Sequence, residues 1–292
     1  MAAAARIATV IKLETFMPLT RYTLPVLAIA LASAQAQAEA VLQNFAGHKI
    51  EVLKIAKPGA PSTVVFENGS RITLDKWDKV IAEVAKESTV FAYNRPGYGK
   101  SDKPSTPRDG KTVVEELRQL LRQQGLQPPY TLVGHSLGGL YMQMYARAYP
   151  QEVQGVVLVD SIYPGIIKKP EEFPFMTRVA KYVFLNSAME AEVDQINSTG
   201  QSMLAMPWND DIPVVRLFNV PKSAGAVAVD LGTVNDDEQT RNMVKNMYPK
   251  ACKVIVDSDH QMQQANPEVV VNAIRDVIGA HDGKRQPALR CS

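Results

Sequence analysis

A doubly wound α/β fold, with a mostly parallel sheet and a small helical lid, is predicted by three observations. Short apolar runs alternate with stretches of helical periodicity along most of the chain. Several of those runs are apolar at nearly every position, as strands covered on both faces are. One of them, Tyr130-Thr-Leu-Val, leads directly into Gly134-His-Ser-Leu-Gly138 and then into an apolar helix.

The bulk properties fit one large domain. The chain has 292 residues, 46% hydrophobic and 21% charged, enough for a substantial core. Its 32 basic and 30 acidic residues nearly cancel, which gives no electrostatic reason to expect nucleic acid as a partner. A small-molecule substrate is the expected partner.

The first forty residues differ from the rest. Arg21 precedes an uncharged, mostly apolar stretch, followed by Ala34-Gln-Ala-Gln-Ala38 with two Ala-x-Ala sites. That order reads as a secretory signal peptide over 1–38, with Met17 a plausible true start. The apolar stretch is short for a membrane span. The expectation is therefore periplasmic or secreted protein without stable membrane insertion after cleavage; the alternative is an uncleaved N-terminal anchor. Residues 39–292 then form the α/β domain. Cys252 and Cys291 are free to pair in an oxidising compartment or to remain thiols.

The elements follow in order. Lys49 to Ile55 alternates polar and apolar residues, a half-exposed strand, and Thr63-Val-Val-Phe is a buried one. Leu74 to Ala85 repeats apolar residues at helical spacing through Leu74, Trp77, Val80, Ile81 and Val84. Thr89 to Tyr93 is a buried strand, and Val113 to Leu121 a helix stopped by Gly125. Tyr130 to Val133 is a strand, Leu137 to Tyr149 a helix closed by Pro150, and Val156 to Val159 a strand. Strands at Val214–Phe218 and Val254–Val256 and a helix at Val269–Ile278 complete the pattern. Residues 162–211 interrupt it. This segment carries four prolines together with Phe173, Phe175, Met176, Tyr182, Phe184, Met203, Met206 and Trp208. It is too long and too apolar for a loop, and reads as the lid. Its composition suggests an apolar pocket, or simple packing between helices.

The chemistry centres on Ser136. At a strand-to-helix junction, Gly-x-Ser-x-Gly lifts the serine hydroxyl on a tight turn above the carboxyl edge of the sheet. The helix then starts beneath it, so the Leu137 amide faces any oxygen bound there. A serine nucleophile needs a base, and the chain has four histidines. His48 precedes the first strand expected. His135 lies inside the turn and points away from the pocket if Ser136 points in. His281 ends the last helix. His260 follows the last strand, on the same edge as Ser136, and is the candidate base. For the orienting acid, Asp160 ends the strand after the serine; the alternative for Asp160 is a backbone cap at the start of the lid. Asp230 is the second choice, and Asp257 and Asp259 lie beside the histidine. A second oxyanion amide is expected from Ser70 or Gly69, where the chain leaves a central strand and turns at Asn68-Gly69.

Over roughly residues 45 to 280 the chain resembles the serine-type α/β hydrolases. Gly134-His-Ser-Leu-Gly-Gly139 resembles their nucleophile elbow, and Arg95-Pro-Gly-Tyr-Gly-Lys-Ser101 a stretch that commonly follows their strand 4. Val156 to Ser161 resembles their strand 6, and Val254 to Pro267 their last strand, catalytic histidine and final helix. Two positions depart from the family. Asn68-Gly69 stands where His-Gly is common, and the turn after strand 7 lacks an acid. The resemblance then implies the variant with its acid after strand 6, Asp160.

It also implies hydrolysis of a small or medium hydrophobic acyl or aryl ester through an acyl-enzyme, with no cofactor or metal. Serine rather than aspartate at the elbow argues against an epoxide hydrolase or dehalogenase. Acyl transfer, perhydrolysis or carbon–carbon hydrolysis on the same triad, or a non-catalytic binding role, are the alternatives.

Overall fold

In the computed structural model, residues 39–220, 238–283 and 288–291 are described, apart from the side chains of 239–241. The expected signal segment 1–38, Met17 within it, and Asp230 all lie outside the described residues. Eight strands form one sheet: β1 (Val41–Phe45), β2 (His48–Ile55), β3 (Thr63–Glu67), β4 (Thr89–Tyr93), β5 (Tyr130–His135), β6 (Val153–Val159), β7 (Val214–Asn219) and β8 (Cys252–Val256). Their spatial order is β1-β2-β4-β3-β5-β6-β7-β8. β1 and β2 run antiparallel, β2 pairs antiparallel with β4, and every pairing from β4 to β8 is parallel.

Strand sequences divide by parity between the two faces, because successive side chains point to opposite sides of a sheet. Val65, Leu132, Val156 and Leu158 face a core under α2 (Gly110–Gln123) and α3 (Leu137–Ala148). Val64, Phe66, Val133, Val157 and Val159 face a second core under α1 (Asp78–Val84) and the long helix near the C-terminus (Pro267–Asp282). The continuous apolar runs thus arise because both faces of each central strand are covered.

The predicted helix from Leu74 splits in two. Leu74–Trp77 is a tight 3-10 turn and α1 begins at Asp78. The first hairpin was not expected. Ala46 and Gly47 both have positive φ, 48° and 84°, the conformation a two-residue hairpin turn needs. The usual signal is Asn-Gly or Asp-Gly, and Ala-Gly lacks it. The consequence is that His48 opens β2, where its Nε2 bonds Ser105 Oγ at 2.7 Å, instead of preceding the first strand.

The lid contains α4 (Phe175–Phe184), α5 (Ser187–Asp194) and α6 (Ile196–Leu204), all after β6. Its apolar residues do not act as one group. Phe173 and Met203 are buried in the core, and Met206 and Trp208 pack against it. Phe175, Met176, Tyr182 and Phe184 are exposed on α4. The reading of these residues as a pocket lining is corrected accordingly: α4 turns Thr177 and Lys181 inward, where Lys181 pairs with Glu190 and Asp194 of α5, and its apolar side faces out.

A further helix, α7 (Glu238–Asn246), has too few apolar residues for a stripe and was not expected. Its last turn is held by buried Arg216, which donates to the Val244 carbonyl at 2.7 Å and the Lys245 carbonyl at 3.3 Å while lying over Tyr163 and Phe218. After β8 come α8 (Met262–Ala265) and α9 (Pro267–Asp282). Cys252 and Cys291 are disulfide-bonded. Asp276 accepts the N–H groups of Ala288 and Leu289, so the tail lies fixed along α9 and β8. No helix among the described residues is long and apolar enough to cross a membrane.

Candidate active site

The carboxyl ends of β5, β6, β7 and β8 bring the predicted residues together. Ser136 follows β5 directly and caps α3, with φ 51° and ψ −119°. Such a conformation costs a non-glycine residue on the order of 1–3 kcal/mol and persists only where the surroundings enforce it. Here they do. The Ser136 N–H donates to the Val159 carbonyl at 3.1 Å, and its own carbonyl accepts from Gly139 and Ile162, each at 3.0 Å. The glycines of the turn are required by contact. A Cβ on Gly134 would lie 2.6 Å from Gly139 Cα, one on Gly138 would lie 2.4 Å from the Glu67 carbonyl oxygen, and one on Gly139 would overlap Ser161 Oγ. The helix can therefore start directly under the serine, and the Leu137 N–H is among the groups a helix start leaves without an intrahelical acceptor.

Asp160 occupies the matching position after β6. Its φ is 39°, which aspartate tolerates better than most residues, and its N–H donates to the Leu217 carbonyl at 2.9 Å. The carboxylate accepts from His260 Nδ1 at 2.8 Å through Oδ2 and from the Asn219 N–H at 3.4 Å through Oδ1. A carboxylate oxygen accepts, so Nδ1 carries the proton and Nε2 of the neutral ring keeps its lone pair. His260 must reach across β7 to make this bond. Asn219, the last residue of β7, bridges the gap: its side chain accepts from the Ser258 N–H at 3.3 Å. Where an acid was sought after β7, the chain has an amide that ties the β8 loop to the β6 acid. Asp257 and Asp259 are exposed. The His260 side chain is 58% exposed and Ser136 is half-buried; among the described residues no hydrogen bond joins the two.

His135 is excluded as a base and has another place. It is fully buried, and its Nε2–H donates to the His260 carbonyl at 2.7 Å, with the rings 4.7 Å apart. It therefore fixes the backbone of the candidate base, which the sequence reading missed. Burial pushes its pKa down from 6.5 to about 4. The sign follows: between those values the unfolded chain binds a proton that the folded protein refuses, so stability is full above about pH 6.5 and lost as pH falls toward 4. At about 1.4 kcal/mol per unit, the loss is about 3 kcal/mol. Urea midpoints measured from pH 7 to 4.5 should fall in wild type and fall less steeply in His135→Gln, whose amide can still donate to the same carbonyl. Equal slopes would show that another group carries the acid sensitivity.

The expected oxyanion turn lies against the serine. A Cβ on Gly69 would be 3.1 Å from Ser136 Cβ and 2.6 Å from His135 Nδ1, so only glycine fits. Asn68 is 1% exposed and locked: its amide donates to the Tyr93 carbonyl and to Asn94, and its Oδ1 accepts from Trp77 Nε1 at 2.9 Å. The residue that departs from the His-Gly pattern thus anchors the turn. Arg95, Glu67 and Glu192 form a buried ion network behind it. Arg95 was visible in its motif; Glu192 carried no sequence signal.

Among the described residues, no group of three or more His, Cys, Asp or Glu is placed to hold a metal ion. A cleft of about 550 Å³ lies elsewhere, between the β1–β2 turn, residues 104–106 and α2.

A family model described as the alpha/beta hydrolase fold matches residues 62–195. The uncharacterized protein YbdG of Bacillus subtilis is 28% identical over 172 residues, 53% of this chain and 53% of that one. A non-heme chloroperoxidase of Streptomyces lividans is 35% identical over 107 residues, 36% of this chain and 38% of that one. The chain thus spans about half or less of the length of these relatives. An epoxide hydrolase structure from Vigna radiata superposes with TM-score 0.61 at 15% identity, covering 84% of this chain and 99% of that one; at that identity the likeness concerns the fold. With its strand order and the match over 62–195, the chain has the α/β-hydrolase fold.

Proposed function

We propose that this protein is a serine hydrolase that cleaves a carboxylic ester through an acyl-enzyme. The observation that carries the reading is the strained Ser136 above the start of α3, on the sheet edge where His260 is hydrogen-bonded to Asp160. Ser136 Oγ attacks the ester carbonyl carbon while His260 Nε2 takes its proton. The oxygen that becomes negative is held by the Leu137 N–H and by the Gly69 or Ser70 N–H. Asp160 keeps the proton on Nδ1 and stabilises the imidazolium. His260 returns the proton to the leaving alcohol, and water then attacks the acyl-enzyme by the same steps in reverse. A single oxyanion donor contributes about 3 kcal/mol, so a turn built on Asn68-Gly69 suffices if its amides keep their aim.

The substrate reading is a small or medium hydrophobic acyl or aryl ester. It rests on the apolar side chains that the segment after β6 packs into the core or against it, Phe173, Met203, Met206 and Trp208 among them. Product analysis on aryl esters of graded acyl length tests it. Free acid as the product supports hydrolysis. Acyl product on an added alcohol, or peracid on added peroxide, in preference to free acid would assign a transferase or perhydrolase instead. Absence of turnover with every ester, with a carbon–carbon substrate cleaved, would assign that chemistry. The expectation of export places such an enzyme outside the cytoplasm.

A further inference from the structure

We propose that Glu192, carried by the lid helix α5, is a positioning residue of this site: through Arg95 it aims the Gly69 and Ser70 N–H groups at the oxyanion. The proposal rests on Ser136 being the nucleophile. Arg95 and Glu192 are both fully buried. Glu192 takes one edge of the guanidinium in two bonds, Nε to Oε1 and Nη2 to Oε2, each 2.9 Å. Two planar groups joined in this way hold a fixed mutual orientation, which a single contact does not give. Glu192 is itself held by the Tyr98 hydroxyl at 2.7 Å and by Arg108 at 3.5 Å.

The remaining Arg95 donors reach the oxyanion turn. Nη1 donates to the Asn68 carbonyl at 2.6 Å and to Glu67 Oε1 at 2.6 Å, and Nη2 leans toward the Gly69 carbonyl at 3.4 Å. A trans peptide is planar, with its C=O and the following N–H pointing in opposite directions. A carbonyl of Asn68 held by Arg95 therefore turns the Gly69 N–H away from Arg95. A carbonyl of Gly69 turned the same way does this for the Ser70 N–H. The Cα of Gly69 packs so closely on Ser136 and His135 that a Cβ there would lie 3.1 Å from Ser136 Cβ. The turn therefore lies directly beside the serine, and in this proposal the face turned away from Arg95 is the one that meets the substrate carbonyl. Arg95 also lies 4.4 Å over the Tyr98 ring and 5.3 Å over the Tyr141 ring, which leaves its plane little freedom. The lid and the oxyanion turn are thereby joined through one side chain, although residues 69 and 192 are far apart in sequence.

The experiment is amide hydrogen exchange on the full chain, with ester kinetics beside it, for wild type, Glu192→Gln and Tyr98→Phe. Glutamine keeps the shape and the Oε1 acceptor but replaces the second acceptor by a donor facing Arg95. The Gly69 and Ser70 amides are expected to exchange about tenfold faster in Glu192→Gln, with β5 and β6 unchanged. In the same variant kcat is expected to fall roughly tenfold to a hundredfold with KM nearly unchanged, since the lost interaction forms only in the transition state. Tyr98→Phe removes a bond to Glu192 and also the contact of the Tyr98 hydroxyl with the Ser70 side chain. It is therefore read at the Gly69 amide, which should exchange faster by a smaller factor, with a smaller fall in kcat. That readout decides the matter if Glu192→Gln does not fold. Exchange at 69 and 70 that stays at the wild-type rate, or kcat that stays unchanged in an active enzyme, overturns the proposal. Wild type without ester turnover overturns the esterase reading, while the exchange rates still decide whether Glu192 holds the turn.

Discussion

Ser136→Ala is expected to lower ester turnover by roughly four to six orders of magnitude while leaving the fold intact. The loss is large because every later step depends on the covalent intermediate, and water at the same place lacks the serine's fixed approach. The effect on stability has a different cause. Alanine keeps the positive φ and its strain. Ser136→Gly removes both hydroxyl and strain, and is expected to raise stability by about 1 kcal/mol while being as inactive as alanine. Turnover and thermal unfolding of the two variants together separate the chemistry of the hydroxyl from the strain of the turn. A Ser136→Ala protein with wild-type turnover would remove Ser136 from the mechanism.

Asp160→Asn is expected to lower turnover by roughly three to four orders of magnitude. The amide can present an N–H to Nδ1 and so favour the opposite tautomer, which leaves Nε2 protonated and unable to take the serine proton. It also removes the charge that stabilises the imidazolium. KM should change little, since Asp160 is two groups away from the substrate. The comparison is Asp230→Asn, measured on the same ester. A collapse in Asp230→Asn with Asp160→Asn near wild type would move the acid to the segment between β7 and α7.

The features legible in the sequence were those that depend on local pattern. Both-face burial makes a strand uniformly apolar, so the β3, β5 and β6 runs are readable without a partner. The elbow is local as well, because a strand, two close-packed glycines and a helix start occupy one short stretch. The place of His260 could be read from topology, which puts one of the four histidines in the loop directly after the last strand, at the edge that carries Ser136. The hairpin before β2 was missed because its turn uses Ala46 where the conformation is usually marked by Asn or Asp. The helix α7 was missed because its stability comes from Arg216 bonding its last carbonyls, a contact between distant residues. His135 illustrates the same limit. Its direction was readable from its neighbour Ser136, but its bond to the His260 carbonyl spans 125 residues and leaves no periodic trace. The lid was recognised by length and composition. Its orientation was not, because composition does not say which side of α4 faces outward.

The most direct measurement is the site and extent of labelling by a fluorophosphonate, read by mass spectrometry of the intact chain and its peptides. Such a probe adds covalently to an activated serine and needs the base and the oxyanion donors to do so at a useful rate. One adduct per chain, on the peptide carrying Ser136 and absent from Ser136→Ala, is the predicted result. No adduct on wild type, or the same adduct on Ser136→Ala, would contradict the assignment of Ser136 as the nucleophile.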